Sequence, residues 1–473
     1  MSKYLYGASV QGIQDFIFAT NKLQEIVGAS EIVKSVAREF DEISGYKEGD
    51  KQILINTAGN IKAIFDSKDE CQKVVLKFPK LIAQKAYGIT LSQAVVKIGD
   101  KYTQDDIDEL EKRLKIQRNK PSIPLDLSIN IIKLNPKTAR AAIKNEEDIA
   151  TKQKLEENKE FYKKNPAVKE FIDFSYMKNI KGKIAVIHID GNGLGKIVKK
   201  LGDKLSKFSI ALDKATKRSV KDAKDDSMYI REVIVGGDDV TVICNANDAL
   251  TFTKNFLTNF EINTKEIKEL DGIKDRLTAC AGIAYCNEKY PFHYAVDLAE
   301  TLCGVAKNHA KRESSCLMFH NIQSANFQSW DKFVEDELTI DNGEQIIRCD
   351  FGAYYLNKEG EANIGDFMNT IEAYRCDGSP IGRLRNWLSE LYKSDKNAEN
   401  LLNRINTITD DSGKWNSCIM DRNIKNIDQE LSSKKLIIKK YTQKEKENNE
   451  TFMRTPIYDI LQILSTTDTQ GAN

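Results

Sequence analysis

The sequence lacks any CxxC pair among its nine cysteines, has only 8 prolines, and contains no apolar run long enough to span a bilayer. Scattered thiols give no support for a zinc ribbon and fit a reducing cytosol, so the predicted location is cytoplasmic, with no membrane partner. Nor does Met1–Tyr6 read as a signal peptide. A large charge of either sign is missing too: 71 Lys+Arg against 70 Asp+Glu leave a formal charge of +1. No global basic field therefore advertises nucleic-acid binding, which leaves room only for a local basic groove. What is present is the composition of a soluble globular protein, 41% hydrophobic and 30% charged. The 473 residues are enough for two to four domains.

The chain is organised around Arg231–Cys244, REVIVGGDDVTVIC. Two β-branched runs flank Gly236-Gly237-Asp238-Asp239, the strongest kind of local hairpin signal. Taken alone, this is a solvated type I′ turn. A turn needs one Asp at most, however, and adjacent carboxylates repel unless a cation or a hydrogen-bond network lies between them. A further carboxylate lies upstream: KIAVIHID is an apolar strand ending in Asp190, followed by Gly191-Asn192-Gly193-Leu194-Gly195 and a helical run. Such a strand–turn–helix offers a carboxylate at the strand end and free N–H groups at the helix start, which suit a phosphate. If strand and hairpin pair, Asp190, Asp238 and Asp239 converge.

Three carboxylates with no nearby cysteine favour a hard ion, Mg²⁺ or Mn²⁺. Two such ions can activate an attacking hydroxyl and stabilise a leaving pyrophosphate, which is nucleotidyl transfer. The candidate metal ligands are Asp190, Asp238 and Asp239 with the Gly191 carbonyl. Gly191, Asn192, Gly193, Gly236 and Gly237 are candidates for close approach to the nucleotide. His188 lies in an apolar run and reads as a core histidine, not a base.

In chain order, residues 4–98 read as strand, helix, hairpin, helix, strand, with Gly28-Ala29-Ser30 breaking the first helix and Pro79 kinking or breaking the second. Residues 184–286 repeat that order. A βαββαβ pattern is the ferredoxin-like sheet used by polymerase palms. The predicted fold is α+β: two ferredoxin-like palm domains, 1–135 and 179–322, a helical linker at 136–178, and a mainly helical C-terminal domain at 323–473. Laying hairpin on hairpin puts Ala58-Gly59-Asn60-Ile61 on Gly236-Gly237-Asp238-Asp239, and laying Gly12 on Gly193 puts Ser9 on Asp190. All three candidate ligands vanish as a set, which predicts one catalytic and one degenerate palm.

The linker's KNEEDIATKQKLEENKEFYKKN reads as a solvated connecting helix, and Arg218–Ser227 as a polar loop near the site. Arg375, Arg383 and Arg385 could meet phosphates or RNA, with a salt-bridged helix surface the plainer reading. The last eight residues, TTDTQGAN, read as a disordered end.

Three stretches carry a resemblance: GIQDFIFATNKLQEIVGAS, the GGDD hairpin, and AGIAYCNEKYPFHYAVDLAETLCGVAK. Together they resemble the large polymerase-like subunit of type III CRISPR effector complexes. The resemblance implies two palms, the second catalytic, and synthesis of cyclic oligoadenylates from ATP when target RNA is bound, in antiviral defence. It implies CRISPR-type protein subunits and RNA as partners. A similar palm occurs in diguanylate cyclases, where the position of Lys307 looks like that of a phosphate-binding lysine; the alternative is an exposed helix-end lysine offsetting the dipole. The sequence departs from the family in having no HD dipeptide, hence no histidine–aspartate nuclease domain, and no cysteine cluster between the palms. RNA gating is therefore open, and two rival readings stand: a non-catalytic scaffold subunit of an RNA-guided complex, and a homodimeric cyclic dinucleotide synthase.

Overall fold

The computed structural model describes residues 3–47, 49–57, 59–120, 131–144, 147–166, 173–323, 329–341, 345–376, 378–412, 417–443 and 449–468. The first unit comprises β1 (Lys3–Gln11), α1 (Ile13–Phe18), α2 (Leu23–Ser44), β2 (Ile53–Thr57), β3 (Asn60–Phe65), α3 (Lys68–Lys85), β4 (Thr90–Ile98) and α4 (Gln104–Arg118). Its strands pair antiparallel in the order β2-β3-β1-β4, the ferredoxin-like arrangement. Alternation along β1 sends Tyr6 toward Phe40 and Phe65, with ring centroids 5.9 and 6.1 Å away.

Two expected helix breaks are absent. Helix α2 runs straight through Gly28-Ala29-Ser30, all three buried. Gly28 is there for packing: a Cβ would overlap the Lys154 carbonyl of α5 (Ile149–Lys164). The interruption falls instead between Phe18 and Leu23. Pro79 sits inside α3 without ending it, because Cys71, Val74, Phe78 and Ile82 keep one buried stripe in register across it. Helix α5 is likewise more than a solvated connector. Its Asp148 cap, Lys154 and Asn158 are buried, and Lys154 Nζ donates to the Phe16 carbonyl of α1.

The second unit repeats the first: β5 (Lys183–Gly191), α6 (Leu194–Leu201), α7 (Leu205–Ala223), β6 (Ile230–Gly236), β7 (Asp239–Asn245), α8 (Ala249–Lys265), β8 (Ala279–Asn287), α9 (Phe292–His309) and β9 (Cys316–Asn321). The order β8-β5-β7-β6 matches the first sheet strand for strand, and β9 extends it parallel to β8. Central β5 is paired on both edges and its consecutive residues are buried, so both faces are covered, which is why KIAVIHID reads as a nearly unbroken apolar run. Helix α7 continues to Ala223, through more than half of the Arg218–Ser227 segment that the sequence reads as loop.

The two units pack together. Asn21 Oδ1 accepts the Phe292 N–H at the start of α9 at 2.8 Å, and Phe18 stacks obliquely on Phe292 with centroids 5.6 Å apart. Ser30 Oγ donates to the Val233 carbonyl, and Arg231 lies 3.7 Å from Glu31.

Beyond β9 come α10 (Trp330–Glu337), β10 (Thr339–Asp341), β11 (Ile346–Arg348), β12 (Tyr354–Tyr355), α11 (Ile364–Tyr374), α12 (Ile381–Leu391), α13 (Asp395–Ser412), α14 (Ser417–Ile427), β13 (Ile438–Gln443), β14 (Asn449–Arg454) and α15 (Ile457–Thr466). Helices dominate, but β10-β11-β14-β13 form a four-stranded sheet that the sequence reading lacks. Arg375 serves structure here: it donates to Thr467 Oγ1 and the Asp468 carbonyl and pairs with Glu372. Of TTDTQGAN, residues 466–468 end or follow α15, and 469–473 lie outside the described residues.

Candidate active site

The tip of the β6–β7 hairpin is a two-residue loop, since Gly236 pairs directly with Asp239. Gly237 has φ 62, whereas Asp238 is not among the residues of positive φ. That is the pattern of a type II′ turn, not the type I′ turn that the sequence predicts. Helix α7 holds the tip from behind: Asp213 Oδ1 accepts the Gly237 N–H at 3.3 Å, and Thr216 Oγ1 donates to the Gly237 carbonyl at 2.5 Å.

Strand β5 pairs with β7 through Ile189↔Val240, so Asp190 stands next to Asp239 at the same end of the sheet. Gly191 has no room for a side chain: a Cβ would lie 2.8 Å from the Asp238 Cβ. Gly193 caps α6 with φ 71, as Gly12 caps α1 with φ 63. Asn192 turns inward. Its backbone N–H donates to the Thr278 carbonyl at 2.8 Å, and its amide donates to Thr278 Oγ1 and the Ser314 carbonyl, both at 3.1 Å. Fully buried, it pins the loop to β8 and has no donor left for a nucleotide.

Lys307 is not the exposed helix-end lysine of the alternative reading. It is 5% exposed, donates to the Gly191 carbonyl at 2.8 Å and forms an ion pair with Asp190. Close packing puts it there: at Gly282 of β8 a Cβ would overlap the Ala299 carbonyl of α9.

The electrostatics are those of crowded anions. Burial, then the charges of Asp190, Asp238 and Glu300, push the Asp239 carboxyl up to about 8, with Lys307 opposing. Its Oδ1 is buried without a hydrogen-bond partner, although the side chain as a whole keeps 42% of its surface. Asp238 is raised as well, by burial and by the Asp190 carboxylate. His188 is buried with Nδ1 3.1 Å from Thr241 Oγ1 and 3.6 Å from Asp239 Oδ1. Burial holds it down to about 4, so it is a neutral core histidine at physiological pH.

Glu300 on α9, which the sequence reading passes over, is raised to about 7 by burial and by Asp297 and Asp15, and bonds Gln14 of α1. Its spacing of seven residues before Lys307, two helical turns, was the available signal.

An all-oxygen donor set with an orphaned buried carboxylate oxygen fits a hard divalent cation. Among the described residues, no three His, Cys, Asp or Glu side chains already form a metal cage; Lys307 supplies the positive charge beside Asp190.

The strand pairings also correct the comparison of the two copies. Ser9 pairs with Asn60 as Asp190 stands beside Asp239, and Thr57 pairs with Asn60 as Gly236 pairs with Asp239. The hairpins thus align one residue earlier than the sequence overlay, with Gly59 and Asn60 at the positions of Asp238 and Asp239. Ala58, at the position of Gly237, lies outside the described residues. No carboxylate occupies any of the three positions in the first unit.

Residues 183–316 match the family model described as Cas10/Cmr2, second palm domain. No curated protein matches the chain in sequence. Among solved structures, the chain is similar to a chain of the Csm1–Csm4 cassette in complex with AMPPNP, at 14% identity and a TM-score of 0.54, over 85% of this chain and 64% of that one. The cassette in complex with pppApA gives 14% identity and a TM-score of 0.54, over 90% and 69% of the two chains. The cassette in complex with cA4 gives 12% and 0.52, over 90% and 70%. At such identities the likeness is one of fold.

Proposed function

We propose, on the premise that this is a Cas10-like chain of the type III CRISPR kind, that it is a metal-dependent nucleotidyltransferase making cyclic oligonucleotide second messengers from ATP in antiviral defence. The observation that carries the proposal is the gathering of Asp190, Asp238 and Asp239 beside Lys307 at one end of the second sheet. The complexes of the similar cassettes with AMPPNP, pppApA and cA4 support the same substrate class.

In this reading 1–135 is a degenerate palm, 136–178 a helical linker, 179–322 the catalytic palm and 323–473 a helical C-terminal domain. Asp190, Asp238, Asp239 and the Gly191 carbonyl would hold two Mg²⁺ or Mn²⁺ ions, which when bound activate the attacking hydroxyl and stabilise the leaving pyrophosphate. The backbone at Gly193, at the start of α6, meets the triphosphate, and Lys307 turns from Asp190 toward it. Gly191 and Gly237 keep the hairpin tip close to the strand end, and Asn192 fixes the loop. The first palm holds the nucleotide whose ribose hydroxyl attacks the α-phosphate: a P–O bond forms, the Pα–O–Pβ bond breaks and pyrophosphate leaves. Cytoplasmic location and a protein partner of the Csm4 kind belong to the same proposal.

A second reading, a non-catalytic or RNA-gated scaffold subunit of an RNA-guided complex, draws on the likeness to a chain of the Csm1–Csm4 cassette. Incubation with all four NTPs and Mg²⁺ or Mn²⁺, followed by mass spectrometry, separates the two. A cyclic product that disappears in the Asp238→Ala/Asp239→Ala variant supports the synthase. No product, with or without added RNA, would remove it.

A further inference from the structure

We propose that Cys280 and Cys316 are a reversible disulfide site, closed by a peroxide and reopened by a dithiol, set beside Asp190 under α9. Its effect on product formation rests on the synthase reading; the bond itself does not.

Strands β8 and β9 run parallel and in register, with Cys280 opposite Cys316, and Cys280 is also opposite Asp190 of β5. Directly opposed residues share a face, so Asp190, Cys280 and Cys316 form a row across three strands. Neighbouring strands lie about 4.8 Å apart, inside the about 4.4–6.8 Å between Cα atoms that a disulfide spans. The two sulfurs already stand 3.6 Å apart. Buried cysteines are ordinary packing residues, and both of these are fully buried. What marks them is the direct contact: among the described residues no hydrogen bond joins any other pair of thiols. The nearby Cys303 thiol donates instead to the Cys280 carbonyl at 3.1 Å.

Each sulfur is tied to an element of the candidate active site. Cys280 Sγ accepts the Asn192 amide N–H at 3.4 Å, in the loop that follows Asp190. Cys316 Sγ donates to the Ala306 carbonyl at 3.4 Å, one residue before Lys307. The pair therefore joins underneath the same two elements that the Lys307–Gly191 hydrogen bond joins above. Closing the bond draws the sulfurs in to about 2.05 Å and removes both S–H groups. The Ala306 carbonyl loses its thiol donor, and the Asn192 amide must follow the moving sulfur or lose it. Displacements of about 1 Å at a reacting centre cost about a hundredfold in rate.

The way in is short. Lys311, Arg312 and Glu313 form an exposed turn that leads into Ser314, whose carbonyl lies 3.6 Å from Cys280 Sγ. Lys311 and Arg312 take consecutive left-handed conformations, φ 50 and 60, which side-chain-bearing residues seldom adopt. Opening of this one strained turn admits an oxidant the size of water, which favours hydrogen peroxide over a bulky disulfide. The Cys280 sulfur attacks one peroxide oxygen: an S–O bond forms, the O–O bond breaks, and the departing hydroxide takes the thiol proton to leave as water. The Cys316 sulfur then attacks Cys280 Sγ: the S–S bond forms, the S–O bond breaks, and the hydroxide leaves with the Cys316 proton as a second water. The two thiols lose the two electrons that the peroxide gains. Thiol–disulfide exchange with a dithiol restores both S–H groups.

The test treats the full-length reduced protein with hydrogen peroxide, unfolds it, caps the remaining thiols with N-ethylmaleimide and maps disulfides by peptide mass spectrometry. A Cys280–Cys316 peptide pair should appear, two hydrogens lighter than the separate thiols, and vanish with dithiothreitol. Product formation from NTPs should fall at least about tenfold with the bond closed and return on reduction. Cys303→Ala should form the same pair. In Cys280→Ala/Cys316→Ala, whose fold a melting curve checks, peroxide should leave product formation at its untreated level. Both thiols capped after peroxide, or sulfinic and sulfonic acids in place of the bond, would overturn the inference. So would the same mixture of pairs from protein unfolded before treatment. A mapped disulfide with undiminished product formation would overturn its coupling to the site. A reduced protein that makes no product would count against the synthase reading, while the peptide map still decides the bond.

Discussion

The Lys307 amine donates to the Gly191 carbonyl at 2.8 Å across 116 residues of chain while pairing with the Asp190 carboxylate. One buried cation thus answers three crowded carboxylates, and it answers them unevenly: the Asp239 Oδ1 remains without a partner.

Lys307→Met removes that cation and the proposed triphosphate contact. A charge-assisted hydrogen bond contributes about 1.5–3 kcal/mol, so nucleotide affinity should fall about ten- to a hundredfold. Titration with a fluorescent ATP analogue in Mg²⁺ checks this. Unchanged affinity would remove Lys307 from the nucleotide site.

Without divalent metal, stability should fall as pH rises across neutrality. Asp239 titrates at about 8 and Asp238 is also raised, against about 3.9 in the unfolded chain. The folded protein therefore binds more protons between about pH 4 and 8, and loses stability as they dissociate. His188, held down to about 4, acts in the opposite sense, but only below its unfolded value of about 6.5. In EDTA, then, Tm should drop more steeply from pH 6.5 to 8.5 in the unmodified protein than in Asp238→Asn/Asp239→Asn, which keeps the smaller slope from Glu300 and Asp459, each raised to about 7. Added Mg²⁺ should recover more Tm at pH 8.5 than at 6.5. Parallel curves for the two proteins would contradict the assignment.

Gly191→Ala should disable the site before it unfolds the protein. The new Cβ lands 2.8 Å from the Asp238 Cβ, so the hairpin tip must shift by several tenths of an ångström. Positional losses of about 1 Å cost about a hundredfold in rate. Product formation should drop at least about tenfold, with Tm lowered by only a few degrees. A variant with full activity would mean that tip and strand end need not be in contact.

Gly28→Val tests the crossing of α2 and α5. Its side chain would meet the Lys154 backbone, and overpacking of this kind costs about 1–3 kcal/mol. A urea titration should show a lower midpoint with an unchanged slope. An unaltered midpoint would mean that α5 is not held against α2 in solution.

Much of this was legible because it rests on local rules. Alternating runs around Gly236–Asp239, a buried strand ending at Asp190 and the repeat of both in degenerate form needed only periodicity and turn chemistry. What escaped depends on partners distant in sequence. Gly28 looks like a helix breaker until α5 is laid across it. Asn192 looks like a nucleotide ligand until Thr278 and Ser314 claim its amide. Lys307 stands out in the sequence only through the family resemblance; its pairing with Asp190 and the Gly191 carbonyl appears once tight packing at Gly282 draws α9 over the strand end. The β13–β14 hairpin hid in the charged stretch KKLIIKKYTQKEKENNE, whose sequence shows no apolar–polar alternation to announce strands.

The Asn21–Phe292 hydrogen bond has a mechanical corollary. Helix α9 is clamped by the first unit at Phe292 and delivers Lys307 about 22 Å further along a stiff rod. Lys307 is seated by its own sheet, where α9 crosses β8 at Gly282, so what the first unit fixes is the other end of the rod. The unit that has no carboxylates of its own therefore braces the start of the helix that carries the site's cation.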